Sequence, residues 1–160
     1  MIGNDVIDID LARTESNWKR KGFLDKIFTF SEQLQIQNAQ NQELMVWGLW
    51  SRKEAAYKIF NRETNIRLYN PLQFECSEME FSQGIYSGSV ASKGTVYFTK
   101  TEITPHSIHT VAVSDKDDFS RIRELKDRSA ITKRDGIPQT DVKKPVSISH
   151  HGRFERIVSI

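Results

Sequence analysis

Residues 50–58 read WSRKEAAYK, a helix-prone run that sets Glu54 and Lys58 four residues apart. At about 100° per residue, Trp47, Trp50, Ser51, Glu54 and Lys58 fall on one side of a helix over 43–61, and Met45, Leu49, Ala56 and Phe60 on the other. The second side is the expected core face. An exposed ion pair at this spacing contributes only about 0.3–0.5 kcal/mol, so a solvated pair is the plainest reading of Glu54 and Lys58. Two tryptophans on the same side weigh against it. Solvated faces rarely carry large aromatics, and this side is expected to meet a ligand, a second element or another subunit.

The chain opens MIGNDVIDID, where apolar and polar residues nearly alternate. Ile2, Val6, Ile7 and Ile9 suit a strand, and Gly3-Asn4 before Asp5 allows a backbone turn that a ligand can approach. If that strand packs beside the 43–61 helix, Asp5 and Glu54 can share a hard cation. Magnesium takes a few carboxylates together with waters and substrate phosphates. The competing reading is an edge strand kept soluble by Asp5, Asp8 and Asp10, and spacing alone does not choose between the two.

Four segments in order resemble the motifs of the 4'-phosphopantetheinyl transferase superfamily: Gly3-Asn4-Asp5-Val6-Ile7-Asp8, Ile27-Phe28-Thr29-Phe30-Ser31-Glu32, Trp50 to Lys58, and Ser147-Ile148-Ser149-His150-His151-Gly152. The resemblance implies transfer of phosphopantetheine from coenzyme A to a serine of an apo acyl or peptidyl carrier protein, with Mg2+. It makes Asp5 and Glu54 metal ligands and Lys58 a phosphate contact or proton shuttle. Ser149 and His150 become coenzyme A contacts, and Glu54 is the first candidate for the base. The nucleophile belongs to the carrier protein, so the chain needs no activated serine or cysteine. The alternatives are a non-catalytic relative that binds coenzyme A or a carrier protein, and a structural oligomer.

Two departures from the family pattern bear on the site. Surfactin-type members carry a glutamate two positions after the first aspartate. Here that position is Ile7 and the next carboxylate is Asp8, the spacing of the holo-acyl-carrier-protein synthase type. Asp5 and Asp8 point to opposite faces of a regular strand, so Asp8 is the second choice as a metal ligand. The family's glycines after the motif helix are replaced by Phe60-Asn61-Arg62-Glu63-Thr64-Asn65, and the helix is expected to end at Asn61 or Asn65.

With 160 residues, 38% hydrophobic and 28% charged, the chain is expected to be one domain, 1–160, large enough to bury its own core. Each motif occurs once. The synthase resemblance therefore implies self-association, most simply as a trimer, with Trp47 and Trp50 at the seam. The lone Cys76 excludes an internal disulfide and reads as a small buried hydrophobe in a strand. Neither a signal peptide nor a membrane span is legible, and a cytoplasmic location is expected.

The chain is expected to carry a polar helix over 14–21, a helix through Gln33 to Gln42 capped by Ser31, and strands over 72–81, 85–91, 95–103 and 107–114 punctuated by Gly84, Gly88, Gly94 and Pro105. A final strand covers 154–160. The expected fold is α+β, a twisted antiparallel sheet packed on the long motif helix. Residues 116–144 hold nine Lys or Arg against six Asp or Glu, where the rest of the chain holds fourteen against fifteen. Gly136, Pro138 and Pro145 mark the second half as loop or linker. This basic segment, with Arg13, Lys19, Arg20 and Lys21, can either steer an acidic carrier protein or serve as a solvated tether. A net charge of +2 without interleaved aromatic and basic residues argues against nucleic acid. His106 and His109 fall on opposite strand faces with no third ligand nearby and do not read as a metal site.

Overall fold

The computed structural model describes residues 1–129, 131–134, 137–140 and 144–160. The chain starts with β1 (Ile2–Asp8), turns at once into α1 (Ile9–Glu15), and continues through α2 (Phe23–Ile27) and α3 (Phe30–Asn38) to α4 (Gln42–Thr64). Ile9 therefore opens a helix rather than extending the strand. The Asp8 carboxylate accepts from Leu11 N and caps α1 at that point. The polar helix expected over 14–21 does not form: α1 ends at Glu15, and turns lead from there to α2.

Thr29, not Ser31, caps α3. Its side chain meets the Glu32 amide while the Glu32 carboxylate takes the Thr29 amide, a reciprocal capping box. The motif helix α4 runs on past Asn61 to a cap at Asn65, which stands in the left-handed region at φ 58°.

The expected strand over 72–81 is broken into a 3-10 turn at Pro71–Gln73, β2 (Glu75–Cys76) and β3 (Glu80–Ser82). The others form as read: β4 (Ile85–Ser92), β5 (Thr95–Ile103) and β6 (Ser107–Val113). Gln83-Gly84 and Lys93-Gly94 make the two tight turns, each with both residues at positive φ, the twist that suits two-residue hairpins. Gly88 is not a turn. It lies inside β4, where a Cβ would stand 2.5 Å from the Arg52 guanidinium. The antiparallel sheet has the order β1-β6-β5-β4-β2, with β3 paired to β4. Within the 116–144 segment, expected as loop or linker, stand a 3-10 turn at Lys116–Arg121, β7 (Arg123–Glu124), β8 (Ile131–Arg134) and β9 (Ile137–Thr140). Pro138 lies in β9, whereas Gly136 lies outside the described residues. β10 (Val146–His151) and β11 (Phe154–Ser159) form a hairpin that, with β7, makes a second sheet.

α4 is buried on most of its circumference, with Val46, Leu49, Ala55, Ala56 and Ile59 fully covered. It lies on the sheet so closely at β1 that a Cβ on Gly3 would collide with the Ala55 carbonyl. Gly3 thus serves helix packing, not a ligand-accessible turn. Two cations of the motif are structural. Arg52 donates to Thr99 Oγ1 (3.1 Å), Ser77 O (2.8 Å) and Ser89 O (2.7 Å), joining α4 to β5, β4 and the loop that follows β2. Lys53 pairs with Glu32 at 2.6 Å in a site closed to solvent, and also donates to Ile27 O and Pro71 O. Burial of this kind requires acceptors for the charge, and every nitrogen of both side chains has at least one. Cys76 is buried against the Leu49 carbonyl, and burial pushes its thiol up to about 12. Among the described residues, no helix is long and apolar enough to cross a membrane.

Candidate active site

β1 lies between two strands and is held differently on each side. β6 pairs with it antiparallel along its whole length, Ile2 opposite Val113 through Asp8 opposite Ser107. On the other side, β10 contributes side chains. The amides of Asn4, Val6 and Asp8 donate to Ser147 Oγ (2.9 Å), Ser149 Oγ (3.0 Å) and His151 Nδ1 (2.9 Å). The facing carbonyls are bridged by cations from α4. Lys58 Nζ donates to Asn4 O (2.6 Å) and Ile148 O (3.2 Å), and Arg62 to Ile2 O (2.8 Å) and Val146 O (2.6 Å). Because successive contacts advance together, β1 and β10 run in the same direction.

This seam assembles the site. Asp5 faces α4 and accepts a hydrogen bond from the Ser149 hydroxyl at 3.0 Å. Its carboxylate lies 4.0 Å from Lys58 Nζ. Burial raises the Asp5 pKa, with Lys58, Ser149 and Ser51 pulling against it. Glu54 is raised to about 7, first by burial and then by the charge of Asp5. Burial lowers Lys58, and the two carboxylates oppose that shift. The solvated Glu54–Lys58 pair is therefore replaced by a partly buried group of two carboxylates and one ammonium. Ser149 is present, but its hydroxyl is engaged by Asp5 and Val6.

Asp8 is not brought to this group. Its carboxylate takes Arg153 Nε (2.8 Å) and Nη2 (2.7 Å) and the Arg153 amide, and that guanidinium holds its pKa well below the usual carboxylate range. Asp8 and Asp10 together clamp the turn between β10 and β11. Among the described residues no group of three metal-ligating side chains forms.

A cleft of about 370 Å³ opens beside Asp5, walled by Phe23, Ile27, Trp47 and Trp50 and rimmed by Arg20 and His150. Trp47 is buried within its own chain, edge-on to Phe23 at 6.4 Å, and Trp50 packs on Tyr69 at 6.0 Å. The face expected at a subunit seam is thus covered from inside for Trp47. His150 is exposed at the cleft mouth, while His151 is spent on the Asp8 amide and faces Glu15 at 3.5 Å. His106 lies by Asp10, and His109 packs by Asn4, where burial lowers it to about 4.

The family model of the 4'-phosphopantetheinyl transferase superfamily matches residues 1–122. The chain belongs to that superfamily. The matched stretch carries Asp5, Glu54 and Lys58, and it ends before β10 with Ser149 and His150. A holo-[acyl-carrier-protein] synthase from Verminephrobacter eiseniae (strain EF01-2) is 27% identical over 96 residues, which cover 57% of this chain and 70% of that protein. Superfamily membership and a synthase relative agree with the synthase-type spacing of Asp5 and Asp8.

Magnesium is the cation that this superfamily implies. Asp5 and Glu54 supply hard oxygen donors from two rigid elements, and burial leaves their charges poorly compensated by Lys58 alone. A divalent cation relieves that excess, and two carboxylates with waters and substrate phosphates suit magnesium. The residues present fit it.

Proposed function

We propose that the protein transfers 4'-phosphopantetheine from coenzyme A to a serine hydroxyl of an apo acyl or peptidyl carrier protein, with Mg2+ held by Asp5 and Glu54. The observation that supports this most is the meeting of Asp5, Glu54 and Lys58 beside an open cleft, in a chain of this superfamily. When bound, the cation would offset phosphate charge and polarise the phosphorus under attack. The serine oxygen forms a bond to the phosphorus bearing pantetheine, and the bond from that phosphorus to the bridging oxygen breaks. 3',5'-ADP departs with the electron pair. Glu54 is the first candidate to accept the serine proton, although ligating the cation would make it a weaker base than it is without metal. Lys58 adds positive charge where the phosphates lie, and its position is fixed by two backbone carbonyls. Arg20 at the cleft rim, with its basic neighbours, offers an approach for an acidic carrier surface.

Asp5, Glu54, Lys58 and Ser149 meet within one chain, and His150 lines the cleft beside Asp5. The test is a mass measurement on apo carrier proteins incubated with coenzyme A, Mg2+ and the protein. A gain of one phosphopantetheinyl group supports the proposal; an unchanged mass across fatty-acid, polyketide and peptide carriers removes it.

His150 is proposed to contact the 3'-phosphate of coenzyme A. His150→Ala is expected to weaken coenzyme A binding by about 1.5–3 kcal/mol, typical of a hydrogen bond to a charged group. Dephospho-coenzyme A lacks that phosphate, so switching to it should cost the wild type affinity and barely affect the variant. Equal losses in both proteins would exclude His150 from this contact.

A further inference from the structure

Tyr69 sits in the segment that joins α4 to the sheet, and no motif draws attention to it. That segment is pinned on both sides of Tyr69 by residues one helical turn apart on α4. Tyr57 Oη donates to Arg67 O at 2.7 Å, and Lys53 Nζ to Pro71 O at 2.9 Å. Asn70 fixes the next turn by accepting from Leu72 N. The Tyr69 ring packs on Trp50 (centroids 6.0 Å), Tyr57 (4.6 Å) and Phe74 (5.9 Å). Trp50, Glu54 and Tyr57 lie on one face of α4 at intervals of four and three residues, so a ring touching both aromatics spans Glu54 between them. The Tyr69 hydroxyl is closed to solvent and has no partner in hydrogen-bond geometry. The Glu54 carboxylate is nevertheless near enough to feel it as a donor. Such an orphaned hydroxyl is uncommon in a well-packed interior.

We infer that Tyr69 is a positioning residue for Glu54: its hydroxyl closes on one carboxylate oxygen when Glu54 turns toward a bound divalent cation, and so fixes the orientation in which Glu54 ligates. This rests on the metal role proposed above for Asp5 and Glu54. Hydrogen-bonded partners of ligating side chains set ligand orientation, and their loss typically weakens metal affinity about 10- to 100-fold. Pinning Tyr69 between two anchors suits it to this work, since a donor on a rigid segment holds its acceptor in one place.

The test is Mn2+ binding to the full chain, followed by calorimetry and by the paramagnetic signal of free Mn2+, for wild type, Asp5→Ala and Tyr69→Phe. Tyr69→Phe keeps the ring contacts and removes only the oxygen. The expected result is an affinity about tenfold weaker with an unchanged or higher thermal midpoint without metal, because the hydroxyl has no partner to lose in that state. Wild-type Mn2+ affinity in Tyr69→Phe overturns the inference and leaves the metal site standing. A lower metal-free midpoint with unchanged affinity assigns Tyr69 to packing, and overturns it too. If the wild type binds no Mn2+, or Asp5→Ala binds it equally well, the metal reading falls and this inference with it. Should Tyr69→Phe not fold, Tyr69→His, which keeps a ring and a donor, takes its place: binding within threefold of wild type supports the inference, and a loss as large as that of Asp5→Ala overturns it.

Discussion

Glu54→Gln is expected to leave the protein better folded and unable to turn over. The substitution keeps the shape of the side chain and removes the charge that burial and Asp5 oppose. In the folded chain the carboxyl keeps its proton up to about pH 7, whereas the unfolded chain releases it near 4.5. Between those values the unfolded chain binds fewer protons. Wild-type stability from this group is therefore full below about pH 4.5 and is lost as pH rises through about 7. The glutamine variant escapes that loss. Its advantage in unfolding free energy should widen by at most about 3 kcal/mol between pH 4.5 and 8 without divalent cations, while turnover falls about 100-fold or more. Denaturant unfolding at both pH values checks it. A stability gap that stays constant across pH would mean that Glu54 is not an uncompensated charge.

Lys58→Met is expected to lower stability as well as turnover. On sequence grounds the methionine would keep the packing stem and drop only a charge. The ammonium, however, satisfies the Asn4 and Ile148 carbonyls and faces Asp5. Each carbonyl left without a donor costs about 1–3 kcal/mol where water cannot replace it, so a loss of roughly 2–4 kcal/mol follows. For a chain of this size that corresponds to a thermal midpoint lower by roughly 5–15 °C. Lys58→Met melting with the wild type would show that solvent reaches both carbonyls, and would return the residue to a purely electrostatic part.

The elements legible in the sequence were those whose signals are local. α4 announced itself by helical spacing, and β4 to β6 by alternating β-formers around two glycine turns. Caps were misplaced where two candidates stood close together. Thr29-Phe30-Ser31-Glu32 offers two cap candidates, and the box that Thr29 makes with Glu32 three residues on decides for Thr29 over Ser31. The strand parity of Asp5 and Asp8 correctly separated them: one faces α4, the other holds Arg153. Arg52 and Lys53 could not be recognised as interior. A buried cation looks like a solvated one in sequence, and only the arrival of Glu32 or of the Ser77 and Ser89 carbonyls identifies it. Tyr69 is hidden for a similar reason, because its neighbours come from α4 and its own segment has no regular pattern.

A backbone ladder is indifferent to the letters that compose it, and a strand can slide by two residues against its neighbour with little change in bonding. The joint between β1 and β10 has no such freedom. Its rungs are Ser147, Ser149 and His151 on one side, with Lys58 and Arg62 as cross-ties. A slip of two positions would put His151 where Ser149 serves Asp5. The joint is keyed, and the key lies in the side chains. Alignment of the site is thereby independent of the chain that connects the two strands. Insertions or deletions between β7 and β10 would change the closure entropy only slightly, and the tail would still dock in one frame.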